Sequence, residues 1–182
     1  MSETMVTTGK VRISYAHVFE PYSNNGGEPK YSLCAIVPKS DKKTLDKIKA
    51  AINAAVQKGK TSKWNGKTPT NLKTPVHDGD EDRPDDPAFA NSYYFNCSSK
   101  KRPGVVDREM NHIIDPDEVY SGCYARINVN FYPYDNSGNR GIAVGLNHVQ
   151  KWDDGDRLGG GSVSVEAAFA DNDDDFGDSL FD

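Results

Sequence analysis

Alternation of apolar and polar residues, the mark of a half-buried strand, recurs along most of this chain. From Lys10 to Phe19, Val11, Ile13 and Tyr15 share one face while Lys10, Arg12 and Ser14 share the other. The turn-forming run Asn24-Asn25-Gly26-Gly27 follows within Pro21 to Gly27. A second strand, Tyr31 to Val37, aligns Tyr31, Leu33, Ala35 and Val37, and Pro38 closes it. A third, Tyr93 to Ser98, sets Tyr93, Phe95 and Cys97 opposite Tyr94, Asn96 and Ser98. The clearest pair lies between Val119 and Val149. Ala125, Ile127, Val129 and Phe131 alternate there with Tyr124, Arg126, Asn128, Asn130 and Tyr132. A hairpin loop, Tyr134-Asp135-Asn136-Ser137-Gly138-Asn139, leads into Ile142, Val144 and Leu146, which face away from Ala143, Gly145 and Asn147.

The period changes once. Leu45, Ile48, Ile52, Ala55 and Val56 form a stripe at helical spacing, with Ser40 or Asp41 as cap and Gly59 as stop. Most of the helix's lysines lie off that stripe, on a solvated basic face. Residues 60–91 are polar and read as a long loop holding Trp64 among lysines. After Trp152 the pattern ends, and Gly159-Gly160-Gly161 reads as a hinge. The chain therefore divides into a domain, residues 1–158, and a disordered tail, 159–182, too poor in core formers to offset its ordering entropy. The expected fold is mainly β: an antiparallel barrel of about five strands plugged by one amphipathic helix.

Charge sharpens this division. The net charge of −5 on 182 residues speaks at first against a polyanion ligand. Yet Glu166 to Asp182 carries seven acids and no Lys or Arg, leaving residues 1–165 at +2. Lys39 to Lys73 holds ten lysines against Asp41 and Asp46, a local +8, and Asp78 to Asp86 reverses to −5. No apolar run is long enough to span a bilayer and no leader pattern opens the chain, so a cytoplasmic place is expected, with no membrane partner. Cys34, Cys97 and Cys123 form no CxxC and read as free thiols.

Catalytic patterns fail one by one. An EF-hand would need Gly at Arg83 and Glu at Phe89. Asp107, Glu109, Asp115 and Asp117 lack a lysine that would complete a nuclease set. His17, His77, His112 and His148 form no HxH or HExxH pair. No catalytic, metal or cofactor site is expected, and the chain does not read as an enzyme.

What remains is a binding surface. Tyr124, Arg126, Asn128, Asn130, Tyr132 and, past Pro133, Tyr134 make an outward face of rings, amides and one guanidinium. Single-stranded nucleic acid suits such a face, since stacking tolerates any base and contributes ~1–3 kcal/mol per base. Trp64 and Tyr94 are further stacking candidates; Arg12, Lys101 and Arg102 join Arg126 as phosphate contacts, and Asn128 and Asn130 would bond sugars, phosphates or base edges. The alternative is that the same tyrosines form a protein contact, making the chain a replisome adaptor with incidental DNA affinity. In the tail, Asp173, Asp174, Asp175 and Asp178 interleave with Phe176, Leu180 and Phe181. That composition fits a segment that docks on a partner or folds back over a basic groove.

From Pro116 to Gly160 the chain resembles the small phage and prophage single-stranded-DNA-binding proteins. The resemblance is carried by Tyr120-Ser121-Gly122-Cys123-Tyr124-Ala125, Asn130-Phe131-Tyr132-Pro133-Tyr134, Gly141-Ile142-Ala143, Gly145-Leu146-Asn147, Val149-Gln150-Lys151 and Leu158-Gly159-Gly160. It implies an oligonucleotide-binding (OB) barrel, sequence-nonspecific binding of single-stranded DNA, and a role in phage DNA replication or recombination in a bacterial host. It also implies an acidic tail that regulates DNA binding and recruits replication or recombination proteins. A homodimer is a further expectation.

Overall fold

A computed structural model describes residues 3–23 and 26–158. In chain order its elements are β1 (Met5–Thr7), β2 (Val11–Tyr22), β3 (Lys30–Pro38), α1 (Lys42–Ser62), β4 (His77–Asp78), α2 (Gly79–Asp82), β5 (Ser92–Ser99), β6 (Gly104–Val106), β7 (Tyr124–Asn136) and β8 (Asn139–Asp153). The hinge at 159–161 and the tail residues Asp173, Asp174, Asp175, Phe176, Asp178, Leu180 and Phe181 lie outside the described residues. No described helix is long and apolar enough to cross a membrane.

The strands close on themselves. β7 pairs with β2, β2 with β3, β3 with β5, β5 with β8, and β8 returns to β7. The result is the expected OB-like barrel of five strands, with one correction: the sheet is mixed, not purely antiparallel. An odd ring cannot alternate direction all the way round, so one neighbouring pair must run parallel. That seam is β5 against β8, where Ser98 stands opposite Gly145. β6 adds a second parallel pairing on β8, and β1 extends the sheet beside β7.

Inward residues are those the alternation marks. Val11, Ile13, Leu33, Ala35, Val37, Phe95, Ala125, Ile127, Val129, Phe131, Val144 and Leu146 fill one core, which is the non-directional apolar burial that drives closure. α1 covers one end of the barrel, burying Ile48, Ala51 and Ala55, with Leu45, Ile52 and Val56 at the margin. Its cap is Asp41, whose carboxylate accepts from the Thr44 amide.

Gly59 does not stop the helix, which runs on to Ser62. Gly59 is needed instead for contact: the Trp64 ring lies against its Cα, and any side chain there would collide with it. Trp64 is 2% exposed, and its indole Nε1 donates to the Tyr134 carbonyl at 3.2 Å. The segment 60–91 is correspondingly not a free loop. Lys73 exchanges backbone hydrogen bonds with Arg140 and Ile142 at the edge of β8. Further on, α2 and a 3-10 turn at Pro87–Phe89 lay Phe89 over Cys34, Ile36 and Tyr94 on the outer side of β3 and β5. Leu158 packs on the same cluster. The three cysteines are buried and unpaired, and burial pushes the Cys34 thiol up to about 12.

Candidate nucleic-acid interface

The alternation on β7 holds without a break: every second residue from Ala125 to Phe131 is buried and the ones between face out. Most of that outer face is already engaged. Arg126 Nε donates to the Thr8 carbonyl at 3.1 Å. Asn128 Nδ2 donates to Thr7 Oγ1 at 2.8 Å while its Oδ1 accepts from Asn147. Asn130 Oδ1 accepts from Thr4 Oγ1 at 2.8 Å. Tyr132 is open, 43% exposed, and lies beside Gly145. Tyr134 is half-buried, its carbonyl held by Trp64.

At the start of β7 the Tyr124 ring sits under two cations, Lys10 Nζ at 5.3 Å and the Arg12 guanidinium at 5.7 Å. Arg12 also ties the turn before β7 to the chain after β8: Nε donates to Gly122 O at 3.0 Å and Nη2 to Asp156 O at 2.6 Å. Gly122 has φ +113, and a side chain on it would strike Asp156, so only glycine permits this crossing. Trp152, which the sequence reading did not select, is covered by Arg108 at 4.4 Å and Arg126 at 5.9 Å.

A second surface lies on another sector of the barrel wall, over β2, β3 and the end of β5. Tyr15, His17, Tyr22, Glu28, Lys30, Ser32 and Ser98 line one open groove. Tyr15 is 53% and Tyr22 52% exposed. The His17 and Tyr22 rings are stacked, 4.3 Å apart and 8° from parallel. Burial holds the His17 imidazole below its usual range, so its neutral form is favoured. Arg83 reaches in from the segment after α2, with Nη1 3.3 Å from the Tyr15 hydroxyl and its plane 5.7 Å from the Tyr15 ring. Lys100 pairs with Glu28 at 3.3 Å at the loop side. Arg102 lines the adjoining cleft with His17, Phe19 and Ile114.

Tyr15 reaches this groove through a register fault. β2 pairs with β3 at Ser14↔Cys34 and next at His17↔Ser32, so two residues of β2 oppose one of β3. Such a bulge re-aims side chains. Tyr15 takes φ +49 and turns outward, correcting the expectation that it shares a face with Val11 and Ile13.

The structure thus splits the sequence-derived set. Tyr124, Arg126, Asn128, Asn130 and Tyr132 share the β7 face, Arg12 stands at its margin, Arg102 lines the cleft adjoining the groove, and Lys101 is exposed in the loop after β5, its amide donating to Ser99 Oγ. Trp64 and Tyr94 are corrected: both rings are buried, Trp64 by Gly59 and Tyr94 by Phe89, where its hydroxyl donates to Asp82. Tyr15, His17, Tyr22, Lys30 and Arg83 were not among the residues read from the sequence, although Tyr22 and Lys30 flank the Asn24-Asn25-Gly26-Gly27 run.

Comparison with known proteins agrees with this fold. A family described as "Enterobacter phage Enc34, ssDNA-binding protein" matches residues 4–179. Protein p50 of Acyrthosiphon pisum secondary endosymbiont phage 1 is 34% identical over 173 residues, 88% of this chain and 90% of that one. The solved structure of the single-stranded DNA-binding protein from bacteriophage Enc34 in complex with ssDNA superposes with a TM-score of 0.75 at 27% identity, over 87% of this chain and 91% of that chain. Gp2.5 of bacteriophage T7, a single-stranded DNA-binding protein, shares the fold alone, with a TM-score of 0.58 at 18% identity over 90% of this chain and 99% of that chain.

Proposed function

This chain belongs to the Enterobacter phage Enc34 ssDNA-binding protein family, a family of binding proteins and not enzymes, and from that membership we propose that it coats single-stranded DNA without sequence preference. The observation that carries the site assignment is the groove of Tyr15, His17 and Tyr22 beside Lys30, Arg83 and Arg102. It lies over β2, β3 and the end of β5, and so borders the second and third strands of the ring, the face on which OB barrels take oligonucleotides. Open rings stack bases, and the surrounding cations neutralise phosphates. Lys101, exposed in the loop after β5, would add a further phosphate contact. On this reading the protein acts in phage DNA replication or recombination.

The β7 face supports the second reading, a contact for another protein. Arg126, Asn128 and Asn130 already bond within the chain, whereas Tyr132 is left open. Titration of labelled dT oligomers separates the two. Tyr22→Ala should weaken binding by roughly 5- to 150-fold, the equivalent of one stacked base. The pair Tyr132→Ala with Tyr134→Ala should leave it unchanged. The reverse pattern would move the DNA path to β7.

The acidic tail is the finer part of the proposal. Residues 166–182, with seven acids and no base, compete with DNA for the groove and, once displaced, recruit partner proteins through Phe176, Leu180 and Phe181. Deleting residues 162–182 should tighten dT binding and reduce its dependence on salt at low ionic strength. Unchanged or weaker affinity sinks this part.

A further inference from the structure

The solvent side of α1 is strongly basic. Lys42, Lys43, Lys47, Lys49 and Lys58 are exposed there, and Asp46 is the one acid of the helix. The ion pairs among the described residues engage Lys10, Lys39, His77, Lys100, Arg108, Arg140 and Lys151, and none engages a lysine of α1. The helix gains nothing from this arrangement by itself. Lys42 and Lys43 sit in the first turn, which carries no acid and where the helix dipole disfavours cations. Lys43 and Lys47 are like charges at i, i+4, which repel. An anion laid along this side would relieve both costs.

The chemistry of the face selects the kind of anion. It carries no aromatic ring and no arginine, so it offers no platform for stacked bases and no forked donor for phosphate. It offers point charges, which suit a flexible run of carboxylates. The chain holds one. Residues 42–63 carry seven lysines and one acid, a local +6, against −7 for residues 166–182. The last described residue before the tail is fixed on the barrel: the Leu158 amide donates to Ser121 O at 2.9 Å, and its side chain packs against the cluster around Phe89. A tethered polyanion meets its own barrel at an effective concentration on the order of millimolar.

We propose that the lysine side of α1 is a dock for the acidic tail of the same chain, a second resting place that draws the tail off the DNA groove. The regulatory consequence rests on the tail competition described above; the docking itself does not. Tail on α1 leaves the groove free, and tail on the groove excludes DNA, so the helix lysines set the balance between the two.

Two measurements test it. Zero-length carbodiimide coupling of the full chain at low salt, with peptide mapping, should join Lys42, Lys43, Lys47 or Lys49 to Asp173, Asp174, Asp175 or Asp178, and high salt should abolish the links. A mixture of isotope-labelled and unlabelled protein should give links within one copy only. Links between copies, or links confined to Lys30 of the groove and Lys100 and Lys101 of the loop after β5, overturn the proposal. In the second measurement, Lys42→Gln, Lys43→Gln, Lys47→Gln and Lys49→Gln are combined; glutamine keeps the helix propensity. The combined variant should bind labelled dT oligomers severalfold more weakly than the parent in the full chain, because the tail then returns to the groove. In the chain lacking residues 162–182 it should bind as the parent does. Equal loss in both chains would mean that these lysines touch DNA directly, which also overturns it. Tail deletion alone tests the competition reading, and its failure leaves the coupling result to be judged separately.

Discussion

Tyr15 holds a left-handed backbone conformation that a tyrosine rarely adopts. Its φ of +49 costs roughly 1–2 kcal/mol in an L-residue, and the bulge keeps it there with the ring in solvent. Stability and binding should therefore separate at this position. Tyr15→Gly removes the left-handed penalty along with the ring, so the melting temperature should hold or rise, while dT affinity falls by roughly 5- to 150-fold. Calorimetry and an oligomer titration on the same preparation check both halves; a loss of stability equal to the loss of binding refutes the division. Tyr15 also marks a limit of reading by alternation. One inserted residue between Ser14 and His17 reverses every facing beyond it, and nothing in the residues themselves announces the insertion. Trp64 misleads for a different reason: its lysine neighbours suggest a wet site, but a glycine one turn back on the helix receives the ring.

At the level of the element, strands and helix were legible because each is amphipathic with a clean period. β7 follows its alternation from Tyr124 to Tyr132 and then runs on to Asn136, where a loop was expected, because Tyr134, Asp135 and Asn136 pair with Gly141, Arg140 and Asn139; α1 buries the stripe at Ile48 and Ala55. What escaped was covering by short pieces. α2 has four residues and the following 3-10 turn three, too short to show a period, yet they bury Tyr94 and the outer side of β3. The groove escaped likewise, since it is assembled from β2, β3 and β5 and no one strand contains it. The end of α1 gives the prediction at this scale. Gly59→Ala drives a methyl into the Trp64 ring, and the ring has no other place to go while its Nε1 stays on Tyr134. Overpacking of this kind costs about 1–3 kcal/mol. Urea unfolding should report that loss, outweighing any gain in helix propensity from alanine, with dT binding of the folded fraction unchanged.

For the whole molecule, the balance of charge predicts how binding responds to salt. Each phosphate contact to single-stranded DNA contributes about −0.7 to the slope of log K against log salt. Replacing Lys101 and Arg102 by Gln should make the slope shallower by about 1.4, whereas Tyr22→Ala should lower affinity without changing the slope. Titrations at several salt concentrations distinguish a lost cation from a lost ring. The closed ring carries a consequence for synthesis. β2, made early, completes its neighbours only when β7 arrives, and the seam between β5 and β8 closes only when the last strand exists. At roughly 5–20 residues per second of translation, β2 waits on the order of ten seconds on the ribosome with Val11, Ile13 and Val18 uncovered. The nascent chain is thus at its stickiest midway through its own manufacture, and a host chaperone would find its hold there.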